Sequence, residues 1–465
     1  MTKPSPEVAP STAPSVLRTS TLVRYAAGSL GTGGFATLPG LVLVFFLTDT
    51  LGVAAIWAGL LVTVAKIWDV IIDPVIGARS DHSLAVTGSR RRYMTLGAIL
   101  LPVFFVLTFA VPAGLGPVAS GIWVLIGFVL AATAFSLFQV PYIALPAELV
   151  DRYDARTRLL SARVVVLTFA ILLFGAGGPE LRALGGDDEH LGYLLMAVVA
   201  GLVLGAGMLV AVFSAPKNVG GLDAARASIV DNYRLGVSAL RRSQPFRALL
   251  GTFVLQGLAT GMMLAGAQYV AAWVLHDKDA LTFLFVALIA PALIFAPVWG
   301  VVSRRIGKER SFAIASVLFG VAALSLVGQI WAPGAWLYGP VALAGAAYAG
   351  MQSLPMAMLP DVISHDARAR GAGRAGTFGG VWTAGETAGM ALGTTVLTIV
   401  LAISGYVAST GAEVVTQTPA AVAGIVLSFS VVPAVIMAAS LVTLARYPLR
   451  RADIDEAAVA TGAAL

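Results

Sequence analysis

Residues 66–81 read KIWDVIIDPVIGARSD and set Lys66, Asp69 and Asp73 inside an apolar run from Gly52 to Gly77. That run is long enough to cross a bilayer, which takes about 20 residues. A charged side chain at such depth costs about 2.5–3.5 kcal/mol on insertion scales, so three in one span mark a place where charge is used. Asp69 and Asp73 stand four residues apart, which puts both carboxylates on one helix face. Lys66 lies one turn earlier on the same face and can neutralise one of them. The second carboxylate is left over. A bare carboxylate pair repels, so the pair binds a small cation or holds a proton. The competing reading is a cluster near the span's end whose side chains reach out to water. Asp73, about one turn from the expected end of the span, suits that reading better than Asp69 or Lys66.

The whole chain has the composition of an integral membrane protein. Of its 465 residues 58% are hydrophobic and 12% charged, against about 45–50% and about 25% in soluble domains. Its 50 glycines suit helices that approach closely. There is no cysteine, which excludes disulfide and thiol chemistry. His82, His190, His276 and His365 are far apart, so no metal-ligand cluster is visible and no cofactor is expected. The net charge of +6 is spread over many short loops. That pattern fits membrane topology and excludes nucleic acid as a partner. Residues 1–20, rich in Pro, Ser and Ala, read as a disordered tail. The apolar run after them is too long for a cleaved signal.

Twelve spans are expected near 22–48, 52–78, 93–112, 118–146, 161–179, 191–213, 247–275, 280–301, 311–331, 336–358, 376–404 and 420–443. Nearly all the Lys and Arg fall in alternate loops together with both termini, while the other loops hold Arg182, Lys278 and little else basic. The termini are therefore expected in the cytoplasm, in a multi-pass protein of the plasma membrane that works as a monomer. The domains read as a tail (1–20), a six-span half (21–213), a cytoplasmic linker with a basic amphipathic helix (214–246), a second six-span half (247–445) and a cytoplasmic tail (446–465).

The halves repeat each other. Pro74-x-x-Gly77 in span 2 is matched by Pro297-x-x-Gly300 in span 8, each followed by a basic turn. Pro141 and Pro146 in span 4 are matched by Pro355 and Pro360 in span 10, and Asp154-Ala-Arg156 by Asp366-Ala-Arg368. A parallel repeat of six spans is the layout of an all-α, twelve-helix major-facilitator transporter, whose substrate site lies between the halves near the midplane.

The stretches KIWDVIIDPVIG (66–77), VPYIALPAELVDRYDARTR (140–158) and LPDVISHDARARGAGR (359–374), with ISGY (403–406), resemble the glycoside–pentoside–hexuronide:cation symporter family over about residues 22–445. The resemblance implies the major-facilitator fold and uptake of a sugar-like small solute with Na⁺, Li⁺ or H⁺. It makes Asp69 and Asp73 the cation ligands, and Ser136, at the position of a family threonine, a further hydroxyl. Several positions depart from the family. Ile72 replaces an asparagine just before the second aspartate, which favours H⁺ over Na⁺. Gly33 and Gln139 stand where the family has sugar-binding aspartates, and Glu386 stands near a family lysine. Arg163 matches a family arginine near the cavity, and is equally readable as a topology anchor. Glu386 is open to three readings: a solute contact, a second protonatable group, or an ion-pair partner of Lys66 across the halves.

Glu148, Asp151, Arg156, Asp361, Asp366 and Arg368 sit at corresponding ends of the two halves, where opposite charges could close an inner gate. They also read as solvated loop charge. Among aromatics that could stack on a ring, Tyr25, Tyr142, Tyr269, Tyr348 and Trp382, the preferred candidates are Tyr142 and Trp382. The leading expectation is a cation-coupled symporter. Its rivals are a proton-coupled efflux antiporter or carrier of amphiphilic solutes, and a non-transporting sensor. An intramembrane aspartyl enzyme would bring its acids from different helices, whereas here both lie on one.

Overall fold

The computed structural model describes residues 18–149, 153–217, 240–277, 279–370, 375–410 and 415–449; at 147, 148, 153–157, 367–370 and 375–377 it describes the backbone alone. The described residues form helices and no strands. The helices are α1 (Thr19–Thr50), α2 (Ala55–Thr87), α3 (Arg91–Phe109), α4 (Pro117–Leu149), α5 (Tyr153–Ala183), α6 (Glu189–Val212), α7 (Gln244–Val274), α8 (Ala280–Ile306), α9 (Lys308–Ile330), α10 (Tyr338–Arg370), α11 (Ala375–Ile403) and α12 (Pro419–Ala445). Eleven of these are long and apolar enough to cross a membrane. The other, α10, has the length, but Gly, Tyr, Gln and Pro dilute its apolar residues.

The helix ends follow local chemistry. Asp188 caps α6 by accepting from the Leu191 N–H at 3.0 Å, and Thr418 caps α12 ahead of Pro419. Gly88 closes α2 in the left-handed conformation, φ 67°, with its N–H on the Leu84 carbonyl. The α2 helix thus continues to Thr87, past the end expected at 78, and α5, α8 and α10 also overrun their apolar segments. Hydropathy marks only the part of a helix that needs lipid, while backbone hydrogen bonding continues into polar sequence. Asp73 lies more than three turns of helix before the end of α2, in the stretch that leads into this polar extension.

Packing reproduces the repeat. In the first half α3 packs on α4 and α6, α1 on α5 and α6, and α2 on α4. In the second, α9 packs on α10 and α12, α7 on α11 and α12, and α8 on α10. Adding six to each helix number turns one set into the other. The halves meet through α1–α7, α2–α11 and α5–α8, and the same operation maps this set onto itself. The interface therefore has the symmetry of a pseudo-two-fold axis. Most of the linker expected to form an amphipathic helix, and most of both tails, lie outside the described residues.

Among the described residues, the side-chain hydrogen bonds that join the halves cluster at one side, the face opposite the one where α1 begins and α12 ends. Thr48 pairs with Tyr269, Gln268 donates to Tyr193, and Thr282 donates to Glu180. Somewhat deeper, the hydroxyls of Thr63 and Thr395 pair between α2 and α11. One turn away α2 carries Gly59, where a Cβ would overlap the Thr398 hydroxyl. The missing side chain is what lets these two helices approach.

Candidate functional site

The α2 face predicted from sequence is present. The Lys66 ammonium pairs with Oδ2 of Asp69 at 3.1 Å, and the two side chains retain 31% and 16% of their exposure. The ammonium also lies 5.7 Å from the centre of the Phe128 ring on α4. The other Asp69 oxygen, Oδ1, is buried with no hydrogen-bond partner, and so is Oδ1 of Asp73. Ser136 of α4 is buried beside the Asp73 carboxylate. The four residues stand together: two orphan carboxylate oxygens from one helix face, beside an ammonium and a hydroxyl. Buried carboxylate oxygens are rarely left unpaired, and an oxygen-rich pocket with residual negative charge is what a small hard cation or a proton requires.

The other first-half candidates form a second group beside it. Tyr142 is fully buried, stacked between Tyr25 and Phe138 with ring centres 4.7 and 5.0 Å away. Its hydroxyl donates to the Tyr25 carbonyl at 2.7 Å and lies 3.1 Å from Oγ of Ser29. Tyr142 therefore ties α4 to α1. The Arg163 guanidinium stands over the Tyr142 ring, 5.5 Å from its centre. Buried polar atoms without partners here are the Tyr25 hydroxyl and the Arg163 Nε. Gln139, half-buried, accepts from the Thr32 hydroxyl at 2.7 Å. Gly33 faces α5, where a Cβ would come within 2.9 Å of the Leu167 carbonyl. Close packing of α1 on α5 leaves no room for an acid at that position.

In the second half, Trp382 of α11 is buried and stacks on Phe253 of α7, with ring centres 4.3 Å apart and the indole N–H unpaired. Glu386, one turn on, is half-buried and close to Tyr348. Of the three readings of Glu386, the ion pair with Lys66 is not the one formed here, since Lys66 bridges to Asp69. Among the gate candidates, Asp361 pairs with Lys308 of its own half at 2.6 Å, and Asp366 is buried. The side chains of Glu148, Asp151, Arg156 and Arg368 lie outside the described residues.

A third group escaped sequence reading. Asp49, at the end of α1, is 4% exposed. Its Oδ1 accepts from the Trp273 indole N–H at 3.0 Å and from the Tyr406 hydroxyl at 2.5 Å. Its Oδ2 accepts from the Thr48 hydroxyl at 2.6 Å. In sequence, a lone acid where an apolar run stops looks like an ordinary loop charge. The available signal was that its run, FFLTDT, carries no turn residue before the acid.

Comparison with known proteins agrees with this architecture. The MFS/sugar transport protein family matches residues 24–451. A glucuronide carrier protein homolog of Escherichia coli is 25% identical, covering 94% of each chain. A Synechocystis protein named an uncharacterized symporter is also 25% identical, covering 94% of this chain and 95% of its own. The crystal structure of a D-xylose–proton symporter superposes with a TM-score of 0.65 at 14% identity, over 92% of this chain and 98% of that one, a likeness of fold. The chain is thus a membrane transporter rather than an enzyme, and it belongs to the MFS/sugar transport protein family, among the glycoside–pentoside–hexuronide:cation symporters.

Proposed function

We propose that this transporter is a symporter that couples entry of a sugar- or glycoside-like solute to H⁺ or Na⁺ by alternating access. The observation that carries the reading is the pair of buried, unpartnered oxygens, Asp69 Oδ1 and Asp73 Oδ1, on one face of α2. With Lys66 satisfying one carboxylate, the site lacks one positive charge, and a coupling ion supplies it. Ser136 adds a neutral oxygen beside Asp73. The solute is assigned to the space between the halves, with Tyr25, Gln139, Tyr142 and Arg163 on one side and Trp382 and Glu386 on the other. The orphan Tyr25 hydroxyl and Arg163 Nε are the groups there with hydrogen bonds to offer. A relative named for glucuronide supports a glycoside-class solute. The loop charge asymmetry supports cytoplasmic termini in the plasma membrane. Among the described residues it is the opposite face that is fastened, so the cytoplasmic side is assigned as the one that the transport cycle has still to close. Glu148, Asp151, Arg156, Asp361, Asp366 and Arg368 are the charges available to close that side when the cycle turns.

The test is thermal stabilisation of the purified protein by a panel of sugars, glycosides and lysolipids, with and without Na⁺ and at two pH values. A glycoside that stabilises more when the ion is present supports coupled symport. Stabilisation by lysolipids alone, indifferent to either ion, overturns it.

A further inference from the structure

We infer that Asp49 is the residue that fastens the face opposite the termini, and that its release from Trp273 and Tyr406 is what opens the carrier on that side. The inference rests on the alternating-access reading above.

The backbone first sets the geometry. Both α1 and α7 end in a five-residue π turn, Phe46–Thr50 and Val270–Val274. The turns match bond for bond: Leu51 N–H to the Phe46 carbonyl at 3.1 Å against Leu275 N–H to the Val270 carbonyl at 3.0 Å, then Val53 to Leu47 against Asp277 to Ala271. Asp49 and Trp273 are the fourth residues of these turns, so they hold equivalent places in the two halves and meet across the pseudo-two-fold axis. One turn inward the equivalent residues Phe45 and Tyr269 also meet, edge to face, with ring centres 5.0 Å apart. π turns are uncommon and recur at functional sites, because the extra residue re-aims the side chains around it.

The bonding then shows what the acid does. Both side-chain donors on Oδ1, Trp273 and Tyr406, belong to the other half. Oδ2 is served by a chain from the same half-to-half seam, in which the Tyr269 hydroxyl bonds Thr48 and Thr48 bonds Asp49. Main-chain bonds reinforce it: Ser409 donates from its N–H to the Thr48 carbonyl and from its hydroxyl to the Asp49 carbonyl, each at 2.9 Å. A buried carboxylate whose donors are withdrawn is strongly unfavourable unless water replaces them. Separation of the halves withdraws the donors and admits water in one movement. Intermediate separations satisfy neither, so the contact has two stable arrangements, the form a gating element requires. The neighbouring Thr50–Glu189 bond and the Arg182–Tyr193 bond stay within the first half and would travel with it.

Because the chain has no cysteine, paired cysteines can be spin-labelled without removing native residues. Leu115→Cys with Trp331→Cys reports the fastened face, and Val86→Cys with Ile306→Cys reports the terminal face; all four positions are exposed. In the full-length protein, electron–electron distance measurements on Asp49→Ala should show a longer-distance population for the first pair and a shorter one for the second. Tyr406→Phe, which removes one donor and leaves the ring, should shift both in the same sense by less. Parent-like distributions in both variants, or in folded Tyr406→Phe alone should Asp49→Ala not fold, overturn the inference. A residue that only stabilises the fold would lower the melting temperature without moving either distribution. The distances need no solute. Shifted distances without uptake of any glycoside leave Asp49 as the fastener and sink the symport reading, whereas solute uptake with unmoved distances sinks the fastener alone.

Discussion

The Lys66 ammonium and the Asp69 carboxylate are bridged at 3.1 Å through one oxygen, Oδ2, while the other, Oδ1, stays buried and unpartnered. The bridge lowers the cost of an acid at this depth, and the unused oxygen keeps it available. Asp69→Asn removes the charge and keeps the shape. Solute accumulation should fall to a ratio of about 1, because ion binding no longer pulls on solute binding, while downhill exchange of labelled solute persists. Concentrative uptake at the parent level in this variant would exclude Asp69 as the coupling carboxylate.

Ile72, half-buried beside Asp73, offers no ligand atom. The oxygens of Asp69, Asp73 and Ser136 are few for a sodium ion, which favours a proton. Ile72→Asn should add or strengthen Na⁺ stimulation of initial uptake at fixed pH, with at least a several-fold lower half-saturating Na⁺ concentration. Saturable Na⁺ stimulation in the parent, with no response to a proton gradient, would refute the proton preference.

Gly59 touches Thr398 where α2 crosses α11. Gly59→Ala should overpack this crossing and destabilise by about 1–3 kcal/mol, read as a lower melting temperature in detergent. Combining it with Thr398→Ala should restore most of the loss. Equal melting temperatures for parent and Gly59→Ala would mean that the two helices separate easily.

Reporter fusions after residues 187 and 450 check the orientation. A fusion at 450 should be active only with a cytoplasmic reporter and one at 187 only with an external reporter. The same side for both would break the twelve-crossing reading.

Much of this molecule was legible in the sequence because lipid imposes a simple rule: each crossing needs a predominantly apolar run of about 20 residues. The spans, the six-helix repeat and the Lys66–Asp69–Asp73 face follow from that rule and from helical spacing. The ends of α2, α5 and α10 were not legible, since polar sequence outside the bilayer can be helix or loop at similar hydropathy. Gly33 could be read as a missing acid but not as the contact of α1 with α5, which depends on Leu167 and Ala170, far along the chain. Tyr142 and Trp382 illustrate the same gap. Their ring types suit a solute, yet stacking on Tyr25 and Phe253 depends on neighbours from other helices. Asp49 was hidden for a like reason, because its donors come from residues 273 and 406.

The equivalence of Asp49 and Trp273 bears on how such a carrier could have arisen by duplication. Two identical halves would set carboxylate against carboxylate at this axis, or indole against indole. The first pair repels, and the second has two donors and no acceptor. The fastening needs an acid in one copy and a donor in the other. It is therefore a product of divergence between the copies, and symmetrising the two turns would abolish it while leaving every helix in place.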